Sequence, residues 1–128
     1  MFEKLEITRM AQAMARHAGA RLGLVAQNVA QADTPGYKAQ DLPDFADSYR
    51  GSGGEALRTT RPGHLRGTDG GLAAQVMTDR AGASPNGNTV SIETEMVKAV
   101  GVRQQHEMAL AIYRNTSEII RASLGRGR

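Results

Sequence analysis

Three histidines, His17, His64 and His106, are the residues of this chain best suited to acid–base or metal chemistry. A metal site needs ligands that converge at short fixed spacings, and these three fall in separate regions with no HxxxH or HExxH pattern. His106 adjoins Glu107, which reads more simply as a helix surface or seam than as a general base. No cysteine is present, which excludes thiolate ligands, cysteine nucleophiles and disulfides. Gly67-Thr68-Asp69-Gly70-Gly71 is rich in glycine, but no Lys-Ser or Lys-Thr follows to complete a phosphate loop. Asp33-Thr34-Pro35-Gly36 lacks the Asp-Thr-Gly of an aspartic protease and has no second copy, so both stretches read as turns. Asn115-Thr116-Ser117 fits a glycosylation acceptor but falls inside a predicted helix. The expectation is a protein that is not an enzyme, with no catalytic residue, metal or cofactor.

Composition limits what could position such groups. Of the 128 residues 40% are apolar and 4% aromatic, so the core that this chain can build alone is thin. The net charge of +3 is spread as +2, −1 and +2 over residues 1–32, 33–88 and 89–128. A nucleic-acid binder would show a clustered basic stripe or a reading helix, and neither is present. No run of about 18 apolar residues spans a membrane, and Met1 to Met10 lacks the basic start and apolar core of a cleaved signal peptide.

Three regions are predicted: a first helix within residues 1–34, an extended segment over 35–88, and a second helix within 89–128. In the first, Ile7, Met10, Met14, Ala18, Leu22, Val25, Val29 and Ala32 recur at steps of three and four, one stripe on a helix with a period near 3.5. About 28 residues at 1.5 Å each make a rod of roughly 40 Å. Gly19 and Gly23 each cost about 1 kcal/mol of helix propensity relative to alanine, which is easier to understand at a close contact. Thr34-Pro35-Gly36-Tyr37 reads as a type II turn, with proline supplying the fixed φ and glycine the positive one.

The middle segment holds Pro43, Pro62, Pro85 and most of the glycines, with isolated apolar anchors such as Leu57, Leu65, Val76 and Met77. It reads as extended chain with one short hairpin around Thr68 to Met77. Ser91 is the expected N-cap of the second helix, and Glu93 and Glu95 suit its N-terminal dipole. That helix carries two apolar seams, one through Val97, Met108, Ala111 and Ile119, the other through Ile112, Thr116, Ile120 and Leu124. Two seams need two neighbours.

Asn28-Val29-Ala30-Gln31-Ala32-Asp33-Thr34-Pro35-Gly36-Tyr37-Lys38 resembles the signature of the flagellar rod, hook and hook–filament junction family, departing from it at Gln31. Asn88-Thr89-Val90-Ser91-Ile92-Glu93-Thr94-Glu95-Met96-Val97 looks like the start of that family's C-terminal helix. The short middle, with His106-Glu107-Met108-Ala109-Leu110 and Tyr113-Arg114, looks most like a short proximal rod subunit of the flagellar basal body.

The resemblance implies a mainly α fold in which two long terminal helices form an antiparallel coiled-coil-like pair, with an extended, irregular or short β middle segment. It implies a structural subunit that polymerises into the drive shaft, transmits torque and encloses the export channel. Its partners would be other copies of itself, other flagellar rod subunits, the rod-base adaptor at the membrane ring and the export apparatus, with no nucleic acid and no transmembrane segment. It would reside in the periplasm-spanning rod, exported without a cleaved signal peptide. Leu22, Val25, Val29, Met108, Ile112 and Ile119 are the expected subunit interface. Asn28, Thr34, Pro35, Gly36 and Tyr37 form the signature turn, and Phe45 and Tyr49 resemble the element that the export gate is thought to recognise. The competing class is a small cytoplasmic helical-hairpin adaptor that binds one partner helix.

Overall fold

The computed structural model describes residues 2–52, 76–80 and 82–125. Helix α1 spans Phe2–Ala30, strand β1 Gln40–Asp41, helix α2 Phe45–Ser52, strand β2 Met77–Thr78 and helix α3 Ile92–Gly125. The mainly helical architecture expected from sequence is present, with two long terminal helices around a small middle region. The start of α3 docks at the end of α1 through Asn28 and Glu95, while Ala18 and Leu22 share a groove with Val100 and Leu110, so the two helices run antiparallel.

Their buried seam is made of small residues at a seven-residue period. Ala11, Ala18 and Val25 are buried in α1, and Glu95, Val102, Ala109 and Thr116 in α3. A repeat of seven keeps one face of each helix turned to its partner. Small side chains at the seam let the two backbones approach closely. The single stripe expected for α1 therefore divides: Ala18 and Val25 turn inward, whereas Ile7, Met10, Leu22 and Val29 remain 38–41% exposed. On α3, Ile112, Thr116 and Ile120 of one expected seam are covered or half-covered but Leu124 of the same seam is exposed, and Val97, Met108, Ala111 and Ile119 of the other are outward.

The middle segment needs one correction, because residues 45–52 form a helix where extended chain was expected. Pro43 and Asp44 start it: the Asp44 carbonyl accepts the amides of Asp47 and Ser48 at 3.1 and 3.0 Å, and proline just ahead of a helix costs no intrahelical hydrogen bond. Strand β2 pairs antiparallel with β1, Gln40 opposite Thr78 and Asp41 opposite Met77, rather than closing a local hairpin. The remainder of that expected hairpin, and the anchors Leu57 and Leu65, lie outside the described residues. Val76 and Met77 are half exposed. Among the described residues of this segment, Ala39 and Leu42 are the buried apolar ones.

Candidate functional site

The chain leaves α1 through a turn whose every residue type is used. Gly36 sits at φ +74°, and the Tyr37 amide reaches the Thr34 carbonyl at 3.3 Å, as a type II turn requires. Gln31, the departure from the family pattern, accepts the Thr34 hydroxyl at 2.6 Å. A second turn, Ser84 to Gly87, lies against the first: the Gly36 amide donates to Asn86 O at 2.9 Å, and a Cβ on Gly87 would stand 3.4 Å from Gly36 Cα. Lys38 Nζ closes on Gly87 O at 3.0 Å.

Two buried asparagines hold this corner to the helices. Asn28 uses all four of its hydrogen-bonding positions. Its Nδ2 donates to Gln40 O at 2.7 Å and to Glu95 Oε2 at 3.1 Å, while its Oδ1 accepts the Gln40 amide at 3.0 Å and the Tyr37 hydroxyl at 3.2 Å. Asn28 thus pairs with Gln40 as a neighbouring strand would. Asn88 Nδ2 lies within 3.0 Å of the carbonyls of Gln31, Ala32 and Thr34, and its Oδ1 accepts the Val90 amide at 2.8 Å. Ser91 caps α3 as expected, its hydroxyl oxygen facing the Thr94 amide at 3.5 Å.

Charges join the same network. Glu95, 2% exposed, is paired through Oε1 with Lys98 at 3.2 Å, so the carboxylate that the sequence places in the first turn of α3 is also a buried partner of Asn28. Arg21 grips Asp41 with Nε to Oδ1 at 2.8 Å and Nη2 to Oδ2 at 3.1 Å, a two-point geometry that favours both charges. Burial pushes the Asp41 carboxyl up, but the Arg21 guanidinium, the Leu42 amide and Lys98 outweigh it and hold the carboxyl below its ordinary range. The Arg21 guanidinium is raised in turn by its hydrogen bond to Asp41, against the opposing effect of burial. Among the described residues no buried side-chain polar atom lacks a partner.

His17 belongs to this packing. Its Nε2 lies 2.9 Å from Pro43 O, which only accepts, so that nitrogen carries a proton. Phe45 meets the imidazole edge-on at 5.7 Å and so fastens α2 to α1, while Tyr49 stacks at a tilt on Phe45 at 5.4 Å within α2. His106 stands apart in an open groove of about 600 Å³ on the flank of the helix pair, with Ala18, Leu22, Val100, Arg103 and Leu110. No group of three His, Asp or Glu side chains among the described residues could hold a metal ion. Nothing in the site assembles a nucleophile with a base.

The expected interface residues fall in different surroundings. Leu22 lines the groove and Val29 lies exposed beyond it, whereas Met108 and Ile119, both about half exposed, are not among the groove's lining residues. Ile112 is half-buried, and Val25, 4% exposed, is already covered within the chain. The signature residues Asn28, Thr34, Gly36 and Tyr37 are all engaged in the corner, with Pro35 exposed at its tip. Sequence reasoning missed Arg21 and Asp41, and it read Glu95 only as a first-turn charge. A seven-residue frame through Ala11, Ala18 and Val25 would have placed Arg21 and Asn28 beside the seam, and the same frame through Val102 and Ala109 puts Glu95 on it.

No family model matches the chain. Two flagellar basal body rod proteins FlgB from strains of Cereibacter sphaeroides are each 35% identical to it over 95 residues, spanning 72% of this chain and 73% of the relative. FlgB of Salmonella typhimurium is 32% identical over 102 residues, with the same coverage of both chains. Identity at that level over most of both lengths, together with two long helices meeting at a Thr-Pro-Gly corner, means that the chain belongs to the FlgB family of flagellar basal body rod proteins.

Proposed function

We propose that this chain carries out its family's structural role in the basal body rod by polymerising with other copies of itself and with other rod subunits. The observation that supports this reading is the division of apolar residues between inside and outside. The intramolecular seam takes alanine, valine and threonine, while Leu22, Val29, Met96, Val97, Val100, Met108 and Ile119 stay 39–74% exposed. Apolar surface of that extent on a small chain marks contact with other proteins. Leu22 offers one contact at the groove, and Met108 and Ile119 offer another elsewhere on α3. Two different patches on one molecule give heterologous contacts, which continue into a helical tube instead of closing.

Such a tube transmits torque and encloses the export channel. The rod-base adaptor at the membrane ring and the export apparatus complete its set of partners, and export proceeds without a cleaved signal peptide. Phe45 is packed on His17 and Tyr49 on Phe45 in the folded chain, so the export gate would read them before folding. Val25 is omitted from the interface because the seam between α1 and α3 already buries it. The test is deletion of the gene followed by electron microscopy of isolated basal bodies: the rod should be missing and swimming lost. A complete rod with normal swimming would refute the proposal.

A further inference from the structure

The turn that follows α1 is held by a residue that lies far along the chain. The last carbonyls of any helix lack intrahelical partners, and most helices satisfy them with their own following residues or with water. The end of α1 follows that rule, with the Gln31 and Ala32 amides donating to the carbonyls of Gln27, Asn28 and Val29. The turn beyond it has carbonyls of its own, and Asn88 Nδ2 takes three of these, Gln31 O at 3.0 Å, Ala32 O at 2.8 Å and Thr34 O at 2.8 Å, from a side chain that is 2% exposed. With two protons for three acceptors, one bond is shared. The same side chain turns its oxygen to the Val90 amide at 2.8 Å, directly ahead of α3. One asparagine thus holds the turn that leaves the first helix and sets up the second.

The other bonds of the corner run the same way. Gly36 N–H donates to Asn86 O at 2.9 Å, Thr89 N–H to Tyr37 O at 3.0 Å, and the Thr89 hydroxyl accepts the Ala39 amide at 2.8 Å. Asn28, which fixes both backbone groups of Gln40, is itself braced by Glu95. Residues 86–95 thus satisfy many of the corner's polar groups; the others are met by the Thr34–Gln31 and Tyr37–Thr34 bonds, by Asn28, by Arg21 and Lys98 on Asp41, and by the β2 segment, where the Asp79 amide donates to Ala39 O at 2.8 Å. Removing that segment strands buried donors and acceptors on both sides at once, so the two stretches open and close as one unit.

We infer that Asn88 is a latch: the α1 corner, residues 31–41, closes only when the segment 86–91 is docked on it, and opening either one opens the other. This couples the two ends of the chain at one point. A chain with its C-terminal half undocked holds α1 without a formed corner, so the geometry by which the outer segment leaves the helix pair is conditional on both termini. The inference rests on hydrogen bonds within the chain and stands whether or not the protein polymerises.

Residue-resolved amide exchange on the full-length chain tests it with Asn88→Asp and Asn88→Ala. Aspartate keeps the acceptor for the Val90 amide but loses both donors and turns an anion toward three carbonyls. In the native chain Gly36, Gln40 and Thr89 should share one opening rate. In Asn88→Asp, protection at Gly36 and Gln40 should fall about ten-fold or more, the scale of one lost charged or buried hydrogen bond, while Val102 in the middle of α3 is unchanged. Asn88→Ala should lose the corner and the Val90 amide together. Three results would each overturn the latch: native-like protection of Gly36 and Gln40 in Asn88→Asp, no protection of them in the native chain, or an equal fall at Val102.

Discussion

Asp41 shows how one residue ties pH to the fold. Its carboxyl is held below its ordinary range by Arg21, Leu42 N–H and Lys98 despite the opposing effect of burial. A carboxyl whose folded pKa is depressed contributes stability that is present above its unfolded pKa of about 3.9 and is lost as pH falls through the lower folded value. Protection of the corner amides should therefore be flat from neutrality down to about pH 5 and then decline below about pH 4. Asp41→Asn should weaken the corner by on the order of 1 kcal/mol at neutral pH, modest because the pair is partly solvated. The difference between the two proteins should shrink as the pH drops through that window, as read from amide protection at Thr89 and Gln40. Gly36 makes a second expectation at the same scale. At φ +74° a Cβ meets no atom within 4 Å, so Gly36→Ala costs only the left-handed backbone, about 1–2 kcal/mol of local stability by the same exchange measurement.

The helices separate what a sequence displays from what only packing decides. Their existence, the Ser91 cap and the type II turn at Pro35–Gly36 were legible, because each rests on local backbone chemistry. Which face of α1 turns inward was not, since a stripe scored by hydrophobicity favours Leu22 and Val29 over Ala11 and Arg21. The seam is chosen instead by close approach of two backbones and by the buried polar pair Asn28–Glu95, neither of which a hydrophobic period registers. Helix α2 was missed because proline and glycine around it outweighed the Asp44 start and the Phe45–Tyr49 pair. The two surfaces so defined should respond oppositely to substitution. Ala109, 0% exposed, has no room for a larger side chain, so Ala109→Leu should separate the helices at a cost of about 1–3 kcal/mol and lower helical circular dichroism in the isolated chain. Met108→Ser and Leu22→Ser sit at outward positions, about half and two-fifths exposed. They should leave the isolated chain's helicity intact yet reduce swimming and the yield of rods on basal bodies. Native motility in both serine variants would remove these residues from the proposed interface.

At the scale of the whole molecule, the balance between seam and surface sets how much of the chain is ordered alone. The seam buries Val25 and Val102 as its largest apolar side chains, about 1.5–3 kcal/mol each, with alanines making up most of the remainder. Ordering each residue of two long helices costs backbone entropy of about 1–2 kcal/mol, and helices recover that mainly through tertiary packing of an apolar face. Here much of that face points outward: Phe2 is 89% exposed, Val97 74%, Val100 71% and Leu124 67%. The corner differs, because every buried polar group in it among the described residues has its partner and its loss would leave charges and amides unpaired. The isolated chain should consequently be ordered unevenly, with slow amide exchange concentrated at Gly36, Gln40 and Thr89 and fast exchange toward Phe2 and Leu124. Heating should give a gradual loss of circular dichroism without a sharp transition, and incorporation into the rod should extend protection outward from the corner along both helices. Uniform protection of α1 and α3 in the monomer, together with a cooperative melt, would mean that the exposed apolar face is not needed for order, and the case for packing against neighbouring subunits would lose its physical basis.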